Sequence, residues 1–317
     1  MGHEVTTLNR GYSTPSSPAT PQRLVANSTD PQSVRKALAG TEFDAVVQFT
    51  GYLPGHVHDD VETFASAGHY VYISSASVYQ KPPTSWWITE ETSVGNPYWD
   101  YARDKIACED VLRTAQTESA FPVTIIRPSL TYGLTQIPVP IGSWDRPYTL
   151  VERMRQGLPI IVPGDGTSLF TITHNSDFAQ GLCGLLGQRE AVGETFNITS
   201  DEALSWNAVY ESIAAAAGVT PNFLHIPSDA LAAAHHDEIG NLWGDKAHSS
   251  VFDTSKIRRF IPDFSPATQF KDGITQTIQW FDADPARRTI DTAAHQMWDR
   301  MVSIYQDALQ RSVEVSH

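Results

Sequence analysis

The residues best suited by type and spacing to do chemistry are Tyr101 and Lys105, in the run Tyr101-Ala102-Arg103-Asp104-Lys105. Upstream of them Ser75 closes the run Val71-Tyr72-Ile73-Ser74-Ser75. Positions i and i+4 of a helix share a face, so a helical segment here points Tyr101 and Lys105 the same way. Interconverting a carbonyl and a hydroxyl by hydride transfer needs a proton donor or acceptor at the oxygen. An unperturbed tyrosine, with a pKa of about 10, is poorly poised for that at neutral pH. A nearby ammonium favours the phenolate, and Lys105 supplies one. The Ser75 hydroxyl, at the end of a parallel strand, can hold the substrate oxygen. Alone, a tyrosine and a lysine four apart are equally an amphipathic surface pair; the upstream serine run makes the combination specific.

Those residues need a scaffold, and apolar runs alternate with helical patterns through the first half of the chain, the signature of βαβ units around a parallel sheet. Strands are expected at Glu4 to Leu8, Arg23 to Ala26, Ala45 to Phe49, His69 to Ser74 and Val123 to Arg127. Helices are expected at Ser33 to Ala39, behind Asp30-Pro31, and at Asn96 to Ala115. Tyr12 to Pro21, rich in Ser, Thr and Pro, reads as a surface loop. Beyond Tyr132 the pattern changes to longer loops and isolated helices, where a second lobe is expected to begin.

The 317 residues are enough to bury a sizeable core. A formal net charge of -14 would repel a phosphate backbone and argues against nucleic acid as a partner. Two cysteines, Cys108 and Cys183, each in an apolar stretch, suggest neither a disulfide framework nor a thiolate metal site. They read as small core hydrophobes in a reducing compartment. No stretch approaches the roughly 20 apolar residues that cross a bilayer, so the expected location is cytoplasmic, with no membrane partner. His56 with His58, and His235 with His236, lack the surrounding ligands that would complete a metal set, and none is expected.

Joined, the serine run and the Tyr-x-x-x-Lys spacing resemble the extended short-chain dehydrogenase/reductases, which include the NAD-dependent epimerases and dehydratases. The resemblance runs from Gly2 to about Phe264. It is supported by Val46-Val47-Gln48-Phe49-Thr50-Gly51, by Ile126-Arg127-Pro128-Ser129-Leu130-Thr131-Tyr132-Gly133, by Gly164-Asp165-Gly166 and by Phe252-Asp253-Thr254-Ser255-Lys256. It implies an α/β, Rossmann-type doubly wound parallel sheet over residues 1–135 and a smaller C-terminal substrate lobe over 136–317, with some segments of the latter returning to the sheet. It also implies catalytic roles for Ser75, Tyr101 and Lys105. For cofactor contacts it points to Asn9, Arg10, Asn27, Phe49, Thr50, Gly51, Ser74, Pro128 and Ser129, with Tyr101 and Lys105 reaching the nicotinamide end.

Three departures from that pattern bear on function. No Gly-x-Gly-x-x-Gly or Gly-x-x-Gly-x-x-Gly segment precedes the strand at Val5. The family's first strand and glycine turn, expected between the strands at Glu4 to Leu8 and Ala45 to Phe49, are therefore missing from this chain. Either the given start lies inside a longer reading frame, or the protein keeps the fold without binding cofactor. Second, the strand ends Leu8-Asn9-Arg10-Gly11, with a cation where users of NAD place an acid, which favours NADP, with NAD possible. Third, Ala76-Ser77 stands where dehydratases carry an Asp-Glu pair, and Leu169-Phe170-Thr171 lacks the arginine that clamps a nucleotide-sugar diphosphate. With the short interval from Gly51 to Val71, these features look more like the atypical branch that includes the chloroplast stem-loop-binding proteins.

The resulting expectation is an NADP-preferring oxidoreductase or epimerase acting on a hydroxyl or ketone of a small polar, sugar-like substrate. The alternative is a non-catalytic or RNA-associated binding protein of the atypical branch. A homodimer is expected through the helix bearing Tyr101 and Lys105, whose outward face would include Cys108 or Leu112.

Overall fold

The computed structural model describes residues 2–11, 21–38, 40–236 and 238–315, so the loop read from Tyr12 to Pro21 lies, except for Pro21, outside the described residues. The chain forms two compact units that interleave along the sequence, in place of one division near residue 135. The first comprises Met1–Ser74, Asp104–Ile126 and Leu186–Thr195, and the second Ser75–Arg103, Arg127–Leu185 and Phe196–His317. Both combine helices with parallel strand ladders, an α/β fold.

In the first unit the order is β1 (Thr6–Asn9), β2 (Gln22–Val25), α1 (Pro31–Leu38), β3 (Val46–Gln48), α2 (Pro54–Thr63), β4 (Tyr70–Ile73), α3 (Asp100–Ser119) and β5 (Val123–Pro128). The last two also extend into the second unit. Helix α1 starts at Pro31, whose fixed φ suits a first turn, and the Asp30 carboxylate accepts the N–H groups of Gln32 and Ser33. Pro54 opens α2 in the same way. All four residues of β4 are buried, as expected of a strand covered on both faces. Parallel ladders set Val46 opposite Tyr70 and Tyr70 opposite Val123. The core packs Val57, Tyr70, Tyr72, Cys108, Leu112 and Phe121 together. Cys108 and Leu112 are thus buried inside their own chain, and the outward apolar face that suggested a dimer is absent: the α3 stripe is consumed by β4 and α2 of the same unit.

The ladder of this unit is interrupted. β1 and β2 pair in parallel, Thr6 opposite Gln22, as a separate two-stranded sheet, while β3 is the edge of the sheet running β3, β4, β5 and the strand Thr195–Ile198. Among the described residues no strand joins β1 to β3. A cavity of 160 Å³ is lined by Thr6 and Leu8 of β1, Val46 and Val47 of β3, Val34 of α1, Asp60 of α2 and Phe64 just beyond it. Those helices are tied by Arg35, whose guanidinium donates to Glu62 and Thr63.

The second unit is closed around a large cluster that includes Trp206, Phe170, Tyr148, Tyr210 and Phe281. Its strands form a three-stranded sheet ordered Ala203–Ser205, Leu169–His174, Leu130–Tyr132 and two parallel pairs, Asn222–Ile226 with Pro159–Pro163 and Val251–Phe252 with Trp87–Ile88.

Candidate active site

Helix α3 carries Tyr101 and Lys105 one turn apart, and the division between the units falls within it, between Arg103 and Asp104. The helix begins at Asp100 rather than Asn96 because Asn96 is committed elsewhere. Its buried amide donates to the carbonyls of Ser77 (2.7 Å) and Gly244 (2.6 Å).

In the first unit Lys105 is only 1 % exposed, and its ammonium donates to the backbone carbonyls of Ile73 (2.8 Å) and Gly51 (3.1 Å). It also lies 4.6 Å from the Tyr72 ring centre and 5.1 Å from that of Tyr52. Burial lowers its pKa from the ordinary lysine value to about 8, against the opposing pull of Cys108 and Glu109. The ammonium therefore still predominates at neutral pH. The Gly51 carbonyl also accepts the Tyr72 hydroxyl at 2.8 Å. A side chain at Gly51 would press on Gln48, Val57 and Tyr72 at 3.1 to 3.3 Å, so this close approach to the lysine favours glycine.

Ser74, expected to face cofactor, turns its hydroxyl to the buried Glu109 carboxylate at 2.6 Å. Phe49 and Thr50 are exposed after β3, and the Thr50 N–H and hydroxyl both donate to the Gln48 amide oxygen. Asn27 is exposed and closes its own turn by accepting from Thr29. The Asn9 side-chain oxygen accepts the Gly11 N–H at 2.9 Å and the Arg23 guanidinium at 3.1 Å, beside an exposed Arg10. Two guanidinium groups thus belong to the end of the β1–β2 ladder.

In the second unit Ser75 is half-buried and heads a short 3-10 turn, Ala76–Val78. Its oxygen accepts the Ser77 N–H and lies 2.8 Å from the Ser77 hydroxyl. Tyr101 is half-buried, its ring 5.0 Å from that of Trp99. Ser129 is engaged with the Thr173 hydroxyl at 2.9 Å, which turns its side chain into the sheet, and Pro128 ends β5 half-buried. His174 shares a 2.7 Å hydrogen bond with Ser176 and packs edge-on against Tyr132.

Trp99, whose ring lies beside that of Tyr101, is packed in turn by further residues of the second unit. Trp99 packs against Gly240 and Gly244, where an added Cβ would crowd its ring at the first and fall 2.8 Å from its Cβ at the second. The Gly240-Asn241-Leu242-Trp243-Gly244 spacing, small residues four apart, was the available signal. The chain there makes a π-helical turn, Leu242–Lys246, of a kind frequent at functional sites. It delivers a buried Lys246 whose ammonium donates to Asn241 (2.7 Å) and Asp245 (3.0 Å) and lies 5.6 Å from the Trp99 ring centre. A second buried lysine, Lys81, donates to the Ser250 hydroxyl and the Asp245 carbonyl, and nothing in its local sequence marks it. Among the described residues no three His, Cys, Asp or Glu side chains are gathered as metal ligands. No described helix is long and apolar enough to cross a membrane.

The framework is one of helices and parallel strand ladders, with Tyr101 and Lys105 on one helix and Ser75 two residues beyond β4. Residues 1–199 match the NAD dependent epimerase/dehydratase family, and the chain belongs to it. It is 24 % identical over 267 residues to 2'-dehydrokanamycin reductase of Streptomyces kanamyceticus, covering 83 % of this chain and 73 % of that protein. It is 26 % identical over 239 residues to the chloroplast stem-loop binding protein of 41 kDa b of Arabidopsis thaliana, covering 71 % of this chain and 60 % of that protein. In fold it is similar to UDP-glucose 4-epimerase from Bifidobacterium longum, solved with NAD+ and UDP. The TM-score is 0.71 at 18 % identity, with 91 % of this chain and 93 % of that one covered.

Of the residues expected to meet a nicotinamide dinucleotide, Lys105 is held by the Gly51 and Ile73 carbonyls, Phe49 and Thr50 stand exposed after β3, and Arg23 reaches the Asn9 side chain next to Arg10. Among the described residues no glycine turn leads into a helix N-terminus that would cradle the pyrophosphate. Where a strand, glycine turn and helix N-terminus would cradle it, the described residues provide the cavity between β1 and β3.

Proposed function

We propose that the chain serves an NAD(P)-dependent oxidoreduction or epimerisation at a hydroxyl or ketone of a small polar, sugar-like substrate, with Ser75, Tyr101 and Lys105 as its proton-handling residues. The observation that carries this reading is α3, which holds a half-buried Tyr101 and, one turn on, a buried Lys105 whose pKa is near 8. Membership of the family supports it.

In this reading Ser75, fixed by the Ser77 N–H, holds the substrate oxygen by hydrogen bonding. Tyr101 gives its phenolic proton to that oxygen as a carbonyl is reduced, and takes it back in the reverse direction. Lys105, charged at neutral pH, favours the phenolate through its field. The relatives' activities on antibiotic and nucleotide sugars suggest the substrate class. Arg10, with Arg23 beside it, favours NADP over NAD.

A second reading, a non-catalytic binding protein of the same family, is favoured by the absence of a pyrophosphate cradle among the described residues. Reduction of a nucleotide-linked keto-sugar, followed by NADPH or NADH absorbance, separates the two. Tyr101→Phe is expected to lower turnover at least ~100-fold while leaving cofactor affinity unchanged. Undiminished turnover in that variant overturns the catalytic assignment. Binding of the sugar without turnover by the unaltered chain supports the second reading.

A further inference from the structure

Asn96 lies just ahead of α3, only 4 % exposed, and both N–H groups of its amide are in use. They donate to the Ser77 carbonyl at 2.7 Å and the Gly244 carbonyl at 2.6 Å, while the amide oxygen accepts the Tyr98 N–H at 3.2 Å. Each contact leads toward Ser75 or Tyr101. Ser77 offers its N–H and its hydroxyl to the Ser75 oxygen, at 3.2 and 2.8 Å. Gly244 lies against both Trp99 and Asn96: an added Cβ would stand 2.8 Å from the Trp99 Cβ and 3.2 Å from the Asn96 oxygen. The Tyr98 N–H, turned back onto Asn96, competes with helix at that residue, and the Trp99 carbonyl then accepts the Arg103 N–H at 3.1 Å as α3 begins. Tyr101 thus falls in the first turn of α3, its ring 5.0 Å from that of Trp99 and tilted by 49°.

We propose that Asn96 and Trp99 are positioning residues that hold Ser75 and Tyr101 in register with each other. One amide fixes the serine turn and, through Gly244, the seat of the ring on which Tyr101 packs. The inference rests on the reading of Ser75 and Tyr101 as the groups that meet the substrate oxygen; Asn96 and Trp99 act only through them. Two hydroxyls must converge on one oxygen, and a misplacement of ~1 Å at such a site can cost ~100-fold in rate. Ser75 follows β4 and Tyr101 opens α3, so what ties those segments together sets their spacing. Asn96 is such a tie, with one acceptor 19 residues before it and the other 148 residues after it. A shift at either end would leave a buried carbonyl unpaired, which resists slippage. Trp99 is seated from a second side as well, by Gly240 against its ring and by the Lys246 ammonium 5.6 Å from the ring centre.

The test uses the full chain labelled with fluorotyrosine, in which the Tyr101 fluorine resonance is identified by its loss from Tyr101→Phe. Asn96→Ala and Gly244→Ala are each expected to shift or broaden that resonance, and Trp99→Phe, which keeps an aromatic ring, to move it less than Trp99→Leu. Ile213→Ala, a truncation in the large apolar cluster of the same unit, controls for lost stability and should leave the resonance in place. With the nucleotide-linked keto-sugar, Asn96→Ala and Gly244→Ala should lower kcat about tenfold to a hundredfold with KM held within about twofold, and Trp99→Phe should retain most of the rate. A Tyr101 resonance unmoved in Asn96→Ala and Gly244→Ala, or moved as far by Ile213→Ala, overturns the proposal, and so does a loss confined to KM. Should Asn96→Ala not fold, Gly244→Ala and the two Trp99 variants decide the matter. An unaltered chain that does not turn the sugar over removes the catalytic reading instead, and the fluorine spectra still decide whether Asn96 and Trp99 position Tyr101.

Discussion

In the unit around Trp206, a buried indole stacks on Phe170 at 4.9 Å and donates its N–H to the Lys246 carbonyl at 2.9 Å. The described strands there are paired, and most lie against a large apolar cluster. In the unit around Lys105 the strands β1 and β2 are half-buried or exposed along their length and stand apart from the sheet that β4 anchors. The contrast shows how differently two parts of one chain can depend on their own residues. Where packing is complete, stability is local to the sequence at hand. Where strands stand apart from the main sheet and are half-buried or exposed, packing contributes less to holding them.

The widest separation between the units should appear in truncations. Trp206→Ala is expected to cost ~3–5 kcal/mol, whereas Leu8→Ala, beside a cavity and only half-buried, should cost less than ~1 kcal/mol. Denaturant unfolding followed by circular dichroism measures both, and losses of similar size would erase the contrast. A smaller, pH-dependent effect belongs to Lys105. Its folded pKa, about 8, lies below the ordinary lysine value of 10.5. Below pH 8 the group is charged in both states and its burial weakens the fold. Between the two values the folded chain releases a proton that the unfolded chain keeps, so stability climbs with pH, by up to ~3 kcal/mol in all. Lys105→Met should lack this rise; superimposable stability–pH curves would show that burial leaves the lysine unperturbed. The smallest effect concerns the end of β1. Arg10→Ala should weaken NADP by roughly tenfold and NAD much less, because only the former carries the phosphate a guanidinium pairs with. Equal losses in titration calorimetry would remove Arg10 from cofactor choice.

Much of the first unit was legible. Strands expected at Ala45 to Phe49, His69 to Ser74 and Val123 to Arg127 occur at Val46–Gln48, Tyr70–Ile73 and Val123–Pro128, because continuous apolar runs mark covered parallel strands. The helix bearing Tyr101 and Lys105 was visible from its spacing. Its ends were not: Asn96 is drawn out of the helix by Ser77 and Gly244, a tertiary effect, and the helix closes at Ser119, before Ala120 turns to positive φ. Side-chain direction was not legible, since period and composition say nothing of which hydroxyl finds a buried carboxylate, as Ser74 finds Glu109. The expected dimer face failed for a related reason. An apolar stripe announces burial but not by whom, and here β4 and α2 of the same chain cover Cys108 and Leu112.

The π-helical turn at Leu242–Lys246 has a consequence for how this region can vary in length. A π turn holds one residue more than an α turn over the same rise, so it records a local surplus. Deleting one residue there would let the segment close as ordinary α-helix with its flanks kept in register, whereas a deletion in a regular α turn would swing the downstream chain by about 100° around the helix axis. What such a deletion would disturb is local: Gly244 against Trp99, and Lys246 on Asn241 and Asp245. The turn is therefore the place in this segment where length can change by one residue with least effect on the chain beyond it.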